Sequence, residues 1–357
     1  MTKTVVAKKE KTPGHVAKYL ERNRATDNNY LLKRDISRIG VGIFTTVLLF
    51  GLCFLILQPL LHQFSNSIMS RNDLIDPTVI AIPREPTLES YRLAAQLMNY
   101  FPNFGAMANG FHVSQLGSLV NTIWITALVS VLQIAACTLV AYGFARFEFP
   151  LKKFWFACVI LTVLVPPQVI RVPMFLNFRF FDLFGLIGEP LILTGTLSGY
   201  LLLSVTAMGL RNGLYIFMLR QYFRNMPKEL EESAWVDGCG KLMTFIRIML
   251  PDAVPMLVSC FLFAFVWQWT DGFFTTMFLR GYGVMAVQMS ALGETFSFHF
   301  VQQNAAATGT HGMRPDLALI EAMISTGVLI GIAPIIIIYL VAQRFFVESI
   351  GQSGIKM

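Results

Sequence analysis

Groups able to do covalent or metal chemistry are present in this chain but never gathered. Its five histidines, at 15, 62, 112, 299 and 311, show no metal-ligand spacing. Its five cysteines, at 53, 137, 158, 239 and 260, form no CxxC pair and no Cys/His cluster; four lie in apolar blocks, where a small packing residue is expected. No Ser/His/Asp set, metal cluster or paired carboxylates sit at shared depth, which argues against an enzyme. No GxxxxGK[ST] loop occurs, so nothing here cradles phosphates in the Walker A manner. What remains is non-covalent recognition. Trp267-Gln268-Trp269-Thr270-Asp271 puts two indoles, an amide and a carboxylate within five residues. Such a set suits a sugar, whose C–H faces pack on aromatic rings while its hydroxyls bond to amides and carboxylates. An acidic residue near a spanning helix is also costly unless it faces protein or water. The same run reads, alternatively, as interfacial anchoring, because Trp gathers at membrane boundaries. Asn121 and Gln133, inside an apolar block, are further candidates for a substrate path.

The elements that position these groups are membrane helices. Of the 357 residues 55% are hydrophobic and 14% charged, against about 25% charged in a soluble domain. The net charge of +7 could suggest nucleic acid, but the basic residues sit between apolar blocks, where a membrane protein keeps them. A helix needs about 20 mostly apolar residues to cross the hydrocarbon core. Six blocks qualify: 39–61, about 118–141, about 154–176, within 191–219, about 254–276 and about 321–341. The first is too long for the core of a signal peptide. Pro166-Pro167 interrupts the third block, as a tolerated kink or as a flexing, unwound stretch near a pathway. The fourth either ends before Arg211 or carries Arg211 near its cytoplasmic end, with the side chain snorkelling to water or facing a polar interior. With the N-terminus inside, Lys and Arg number 20 inside against 7 outside, Arg211 left aside, which predicts both termini in the cytoplasm. The organisation expected is a basic cytoplasmic tail, 1–38, and a transmembrane domain, 39–357. The outer loop 62–117 is long and partly Pro-rich, and the outer loop 277–320 ends in an irregular Gly-, Thr- and Asn-rich excursion.

The inner segment 220–253 is charged and reads as helical. Pro227 fits the first turn of a helix over 228–236. Asp237-Gly238 is a stop signal, since glycine takes the left-handed conformation that ends a helix. Asp237 serves either as turn chemistry or as a contact. A second short helix starts at about 240, with Leu242, Phe245, Ile246, Met249 and Leu250 at helical spacing, and Pro251 and Pro255 break it before the fifth block. The object is a helix–turn–helix beneath the membrane, joined to a spanning helix and able to transmit force from a cytoplasmic partner.

Glu232-Ser233-Ala234, then Gly238, then Ile248-Met249-Leu250-Pro251 match the spacing of a cytoplasmic signature, E-A-A, three residues, G, nine residues, I-x-L-P, with Ser233 as the one departure. In these residues the chain resembles the permeases of binding-protein-dependent ABC importers. Pro86-Thr87-Leu88 with Tyr91, the run Ala141-Tyr142-Gly143-Phe144-Ala145-Arg146-Phe147, Leu219 to Phe223, the W-x-D-x-F of Trp269, Asp271 and Phe273, and the ending Gln343 to Val347 with Gly354-Ile355-Lys356 also resemble that family, in its maltose/maltodextrin-type sugar branch. The Asp237-Gly238 form is similar to the same branch. The stretches 177–212 and 294–316 and the tail are longer than the family norm.

The resemblance implies a type I importer fold: an all-α membrane protein of six transmembrane helices with a cytoplasmic coupling helix, multi-pass in a bacterial-type inner membrane. It implies ATPase-coupling roles for Glu232, Ser233, Ala234, Asp237, Gly238, Ile248, Leu250 and Pro251; the substrate path of Trp267, Gln268, Trp269, Asp271 and Asn121 rests on the chemistry of those residues. Implied partners are a second permease subunit, an ABC ATPase dimer, an extracellular solute-binding protein, membrane lipid and a sugar or oligosaccharide substrate, with no nucleic acid. No cofactor or metal is implied for this chain; ATP and Mg belong to the ATPase. The rivals are a permease for another small solute and an ion-coupled secondary transporter or channel. The latter usually carries charges inside the membrane and repeated halves, and neither is found.

Overall fold

The structure, a computed structural model, describes residues 30–103, 112–182, 185, 188–308 and 314–354. Most of the tail 1–38, the excursion around 309–313 and the terminal 355–357 therefore lie outside the described residues. Among those described there is no strand, only an isolated antiparallel bridge between Phe181 and Leu191, so the all-α class holds. The chain divides into two compact units, 1–62 and 63–357. Helix α1, Tyr30–Ile68, starts nine residues before the first apolar block and runs on for 39 residues, roughly 58 Å at 1.5 Å each. Its residues 36–62 are exposed all round, which suits hydrocarbon rather than water.

In the second unit the outer segment after α1 carries α2, Arg71–Ile75, and α3, Glu89–Leu97. The buried Asp73 carboxylate holds this segment by accepting the backbone N–H groups of Arg84 (3.0 Å) and Glu85 (2.9 Å). Helix α4, Ser118–Arg146, is the central strut. Its buried positions come in pairs four residues apart, from Ser118, Asn121 and Thr122 to Thr138, Ala141 and Tyr142, one face of a 3.6-residue period. Many are small or hydroxylic: Thr122 and Thr138 satisfy their hydroxyls on carbonyls four residues back, each at 2.6 Å. The polar groups thus face protein together with Ile125, Val129 and Ile134, while Val131 and Leu139 face outward.

The third and fourth apolar blocks are each broken. Helix α5, Lys152–Leu164, stops because Val165 precedes a proline and goes extended; the chain resumes as α6, Arg171–Arg179. The Pro166-Pro167 interruption is therefore unwound backbone, not a kinked helix. In the fourth block α7, Leu197–Val205, and α8, Asn212–Asn225, flank a gap in which Ala207 and Arg211 have φ of 55° and 57°. The first helix of the block ends at Val205, before Arg211, as one of the two readings expected, and Arg211 is the left-handed N-cap of α8. Helix α8 also takes up 220–225, expected as the start of the inner loop.

The inner segment then forms α9, Glu229–Val236, and α10, Lys241–Thr244. A π-helical turn, Phe245–Met249, leads to α11, Leu250–Asp252, and α12, Val254–Thr270 follows at a 74° bend. Beyond the short α13, Phe273–Phe278, lies α14, Met285–Thr308. This 24-residue helix occupies much of the loop expected over 277–320; its Met285, Met289, Leu292, Phe296 and Phe300 stripe packs in a core with α15, Leu317–Gly354. Among the described residues α1, α4 and α15 are long and apolar enough to span alone, with α10–α12 as a bent fourth. Helix α4 packs against α7, α8 and α12; α5 packs on α8; and α15 packs on α3, α12 and α14.

Candidate functional site

The inner hairpin is built as its sequence dictates. Glu229, Glu231 and Glu232 crowd the first turn of α9, where the helix dipole favours negative charge. At the other end Gly238 sits at φ +83°. Its N–H donates to the Trp235 carbonyl (3.0 Å) and that of Cys239 to the Ala234 carbonyl (2.9 Å), the Schellman pattern. A Cβ at Gly238 would meet nothing within 4 Å, so the backbone and not crowding requires glycine. Ala234 is buried; Glu232, Ser233, Asp237, Gly238 and Pro251 are exposed; Ile248 and Leu250 are half-buried. Large apolar side chains stand out from the same surface, Val236 at 87% and Leu242 at 70% exposure.

Sequence reasoning missed Glu231. Its carboxylate points inward, 7% exposed, where the Tyr142 hydroxyl donates to Oε1 at 2.9 Å and the Arg146 Nε lies 3.5 Å from the same oxygen. That distance is ionic contact without a hydrogen bond; Arg146 places its Nη2 hydrogen bond on the Met226 carbonyl (2.9 Å). Tyr142 also packs on Phe223 and Phe245, with ring centroids 5.5 and 4.6 Å apart. The Tyr222 hydroxyl donates to the Asp252 carbonyl at 2.9 Å. The ends of α4 and α8 and both legs of the hairpin are thus locked together. The available signal was Tyr142 and Arg146 four apart at the end of a spanning helix, facing an acid-rich turn.

The structure packs four of the five path candidates into the bundle. Asn121 is fully buried, donates to the Val113 and Tyr282 carbonyls (2.8 Å each) and accepts from Trp124 Nε1 (3.2 Å). Trp269 is 3% exposed and donates Nε1–H to the Gly331 carbonyl at 3.1 Å. Asp271 accepts from the N–H of Phe273 (3.2 Å) and from the N–H and hydroxyl of Thr275 (3.0 Å each), which caps α13. Gln268 borders a void of about 10 Å³ with Tyr200 and Thr275, too small for a sugar. Gln133, which donates to Asn212 Oδ1, ties α4 to α8. Trp267 is half-buried, with the Arg211 guanidinium 4.2 Å above its ring. Arg211 in turn lines a cavity of about 580 Å³ between α4, α5 and the two helix breaks, together with Thr162, Val165, Thr206 and Asn212.

Spanning helices, two broken apolar blocks and an inner hairpin keyed into the bundle are the frame of a transport subunit. Residues 133–350 match the family described as the binding-protein-dependent transport system inner membrane component, more than half of the chain. The chain belongs to this family. It is a multi-pass membrane permease subunit of an ABC importer, not an enzyme, and membership implies a second permease, an ATPase and a solute-binding protein as partners. The permease is similar to the osmoprotective compounds uptake permease GgtD of Synechocystis sp., 28% identical over 311 residues, 85% of this chain and 89% of that one. It is similar to the arabinooligosaccharides transport permease AraQ of Halalkalibacterium halodurans, 23% identical over 328 residues, 91% and 100% of the two chains. It also resembles the melibiose/raffinose/stachyose import permease MelC of Bacillus subtilis, 25% identical over 71% of this chain and 81% of that one. Its fold matches a chain of a bacterial ABC transporter involved in the import of the acidic polysaccharide alginate, with a TM-score of 0.62, 21% identity and coverage of 87% and 98%.

Proposed function

We propose that this permease forms half of the translocation path for a sugar or oligosaccharide, with both termini in the cytoplasm and the α9–α10 hairpin seated in a groove of an ABC ATPase. The observation that carries the reading is the two-sided hairpin. One side is keyed to the spanning bundle through Glu231, Tyr142 and Arg146. The other offers Glu232, Ser233, Asp237, Gly238, Val236 and Leu242 to the exterior. Exposed apolar side chains rimmed by polar ones mark a protein contact. ATP-driven closure of two ATPases would then turn the hairpin, and with it α8 and α12, between inward- and outward-facing states. ATP and Mg are bound by the ATPase; this chain supplies the lever. Ala234, Ile248 and Leu250 support the hairpin from within, and Pro251 stands exposed at its junction with the spanning helix.

The sugar assignment rests on the oligosaccharide importers among the relatives and on the Asp237-Gly238 form of the turn. An osmoprotectant relative favours another small polar solute as the second reading. In the path we place the 580 Å³ cavity beside Arg211 and Trp267; Gln268, Trp269, Asp271 and Asn121 are not among the residues that line it and serve as packing and hydrogen-bonding groups of the bundle. Two experiments test the proposal: purification of the chain with its ATPase and second permease, and uptake of labelled mono- and oligosaccharides by cells that carry it. Failure of any ATPase to associate would remove the lever reading, and uptake of osmolytes but no saccharide would remove the sugar reading.

A further inference from the structure

A second cavity lies apart from the broken-helix path. Its walls are α6, the segment 193–196, and the stretch from α13 through the turn Arg280–Tyr282. These pieces are pinned to one another. The Leu193 N–H donates to the Phe178 carbonyl at 2.8 Å and the Gly195 N–H to the Met277 carbonyl at 2.9 Å. Phe178 meets Phe278 edge to face at 5.0 Å. The cleft is open to the exterior and has a volume of about 360 Å³, within the roughly 300–1,000 Å³ of small-molecule pockets.

Three arginines line it, Arg171, Arg179 and Arg280, along with Thr194 and Thr276. Arg171 and Arg179 are eight residues apart on α6 and so share a face with Phe175 between them. Arg171 is held over the Phe273 ring at 5.8 Å. Among the described residues none of the three makes an ion pair; the pairs found are Arg84–Asp76, Arg146–Glu231 and Lys152–Glu148. The closest carboxylate along the chain, Asp182, three residues after Arg179, is exposed and is in none of these pairs, and Asp271, nine residues before Arg280, is buried and already accepts three hydrogen bonds. Three like charges around one void repel each other unless an anion lies among them. Planar guanidinium forks match the two oxygens of a carboxylate or phosphate.

We infer that this cavity is an anion site that takes a carboxylate- or phosphate-bearing group. That it opens to the outer face rests on the orientation proposed above; the anion binding itself rests only on the three arginines and their lack of acidic partners. Two sources share the chemistry, an acidic sugar and the headgroup of an anionic phospholipid, and the test separates them.

The assembled complex, reconstituted in nanodiscs of phosphatidylcholine alone, is titrated calorimetrically with glucuronate, inorganic phosphate and glucose. A second preparation, in nanodiscs that contain phosphatidylglycerol, is examined by native mass spectrometry for retained lipid. Binding of glucuronate or phosphate but not glucose supports the site with a solute as its source; retention of phosphatidylglycerol without solute binding supports it with lipid. In either case Arg179→Gln with Arg280→Gln weakens the interaction about a hundredfold, about tenfold for each charge-assisted fork removed. The Arg179→Lys/Arg280→Lys pair, which keeps charge but not fork, falls between and shows by its elution profile that the fold survives. Equal affinity for glucose, no anion in either preparation, or a glutamine variant equal to wild type overturns the site. ATP turnover in the same preparation reports on the importer reading separately, so each can fail without the other.

Discussion

Glu231 is the residue whose replacement tests most of this architecture. Among the described residues it is the one acid that faces the Tyr142 hydroxyl and the Arg146 guanidinium, and both side chains of the ion pair are 7% exposed. Glu231→Ala leaves Arg146 buried, with one hydrogen bond to the Met226 carbonyl as its remaining polar partner. Loss of one member of a buried pair costs about 3–5 kcal/mol, because the surviving charge is uncompensated. Glu231→Gln keeps an oxygen for the tyrosine at nearly the same volume and loses only the charge; hydrogen bonds to charged groups contribute about 1.5–3 kcal/mol, so its cost is intermediate. Glu231→Met with Arg146→Met removes both charges together and returns close to wild type in stability. The assay is thermal unfolding of the purified complex in one detergent, read beside sugar-stimulated ATP turnover. The expected order of apparent Tm is wild type and double variant highest, then Gln, then Ala. The double variant, stable but without its polar key, is expected to hydrolyse ATP with reduced coupling to uptake. If Glu231→Ala unfolds within about 0.5 kcal/mol of wild type, as a substitution at an indifferent surface site does, the hairpin is not anchored by this pair and the argument fails.

Four further outcomes are expected. Gly213→Ala should cost about 1–3 kcal/mol by thermal shift, because the new Cβ would lie 2.6 Å from the Val159 carbonyl where α8 crosses α5; an unchanged Tm would mean that the crossing is looser than drawn. Gly238→Ala meets no atoms but imposes a left-handed φ at about 1–2 kcal/mol, so it should lower ATPase co-purification more than it lowers Tm of the permease; equal losses would point to misfolding instead. Asp271→Ala should cost about 1–2 kcal/mol through the lost cap on α13; a raised KM for uptake at unchanged stability would instead make the carboxylate a direct sugar contact. The Asp76 carboxyl is held below its usual range, first by the Thr78 N–H and hydroxyl and then, more weakly, by Arg84. A lowered folded-state value means that the stabilisation is present above the ordinary carboxylate range and lost as pH falls through the lowered one, so hydrogen exchange over 76–85 should quicken only below the ordinary carboxylate range and not near neutral pH.

How much was legible depended on the range of the interaction. The apolar blocks at 39–61, 118–141 and 321–341 became α1, α4 and α15 because hydrocarbon leaves a backbone no choice but helix. The stop at Asp237-Gly238 was readable because left-handed backbone is a local demand that glycine meets. The breaks in the third and fourth blocks were only half visible. Pro166-Pro167 announced the first, but Arg211 lies in left-handed backbone that no residue near it requires; its ring partner, Trp267, is 56 positions away. Helix α14 was missed although its apolar stripe has helical spacing, because polar residues between the stripe dilute it below a spanning signal.

The sequence by itself therefore determined that the chain is a helical membrane protein with a two-legged hairpin before a spanning helix, since burial in lipid, glycine turns and proline stops act within a few residues. Only the tertiary structure decided what the polar residues do. It spent Asp271, Asn121 and Trp269 on internal hydrogen bonds, made Glu231 the key of the hairpin, and drew Arg171, Arg179 and Arg280 to one cavity. A polar side chain takes its role from whichever partner packing brings close, and for Asn121, Trp269 and Glu231 that partner lies on a different helix or loop.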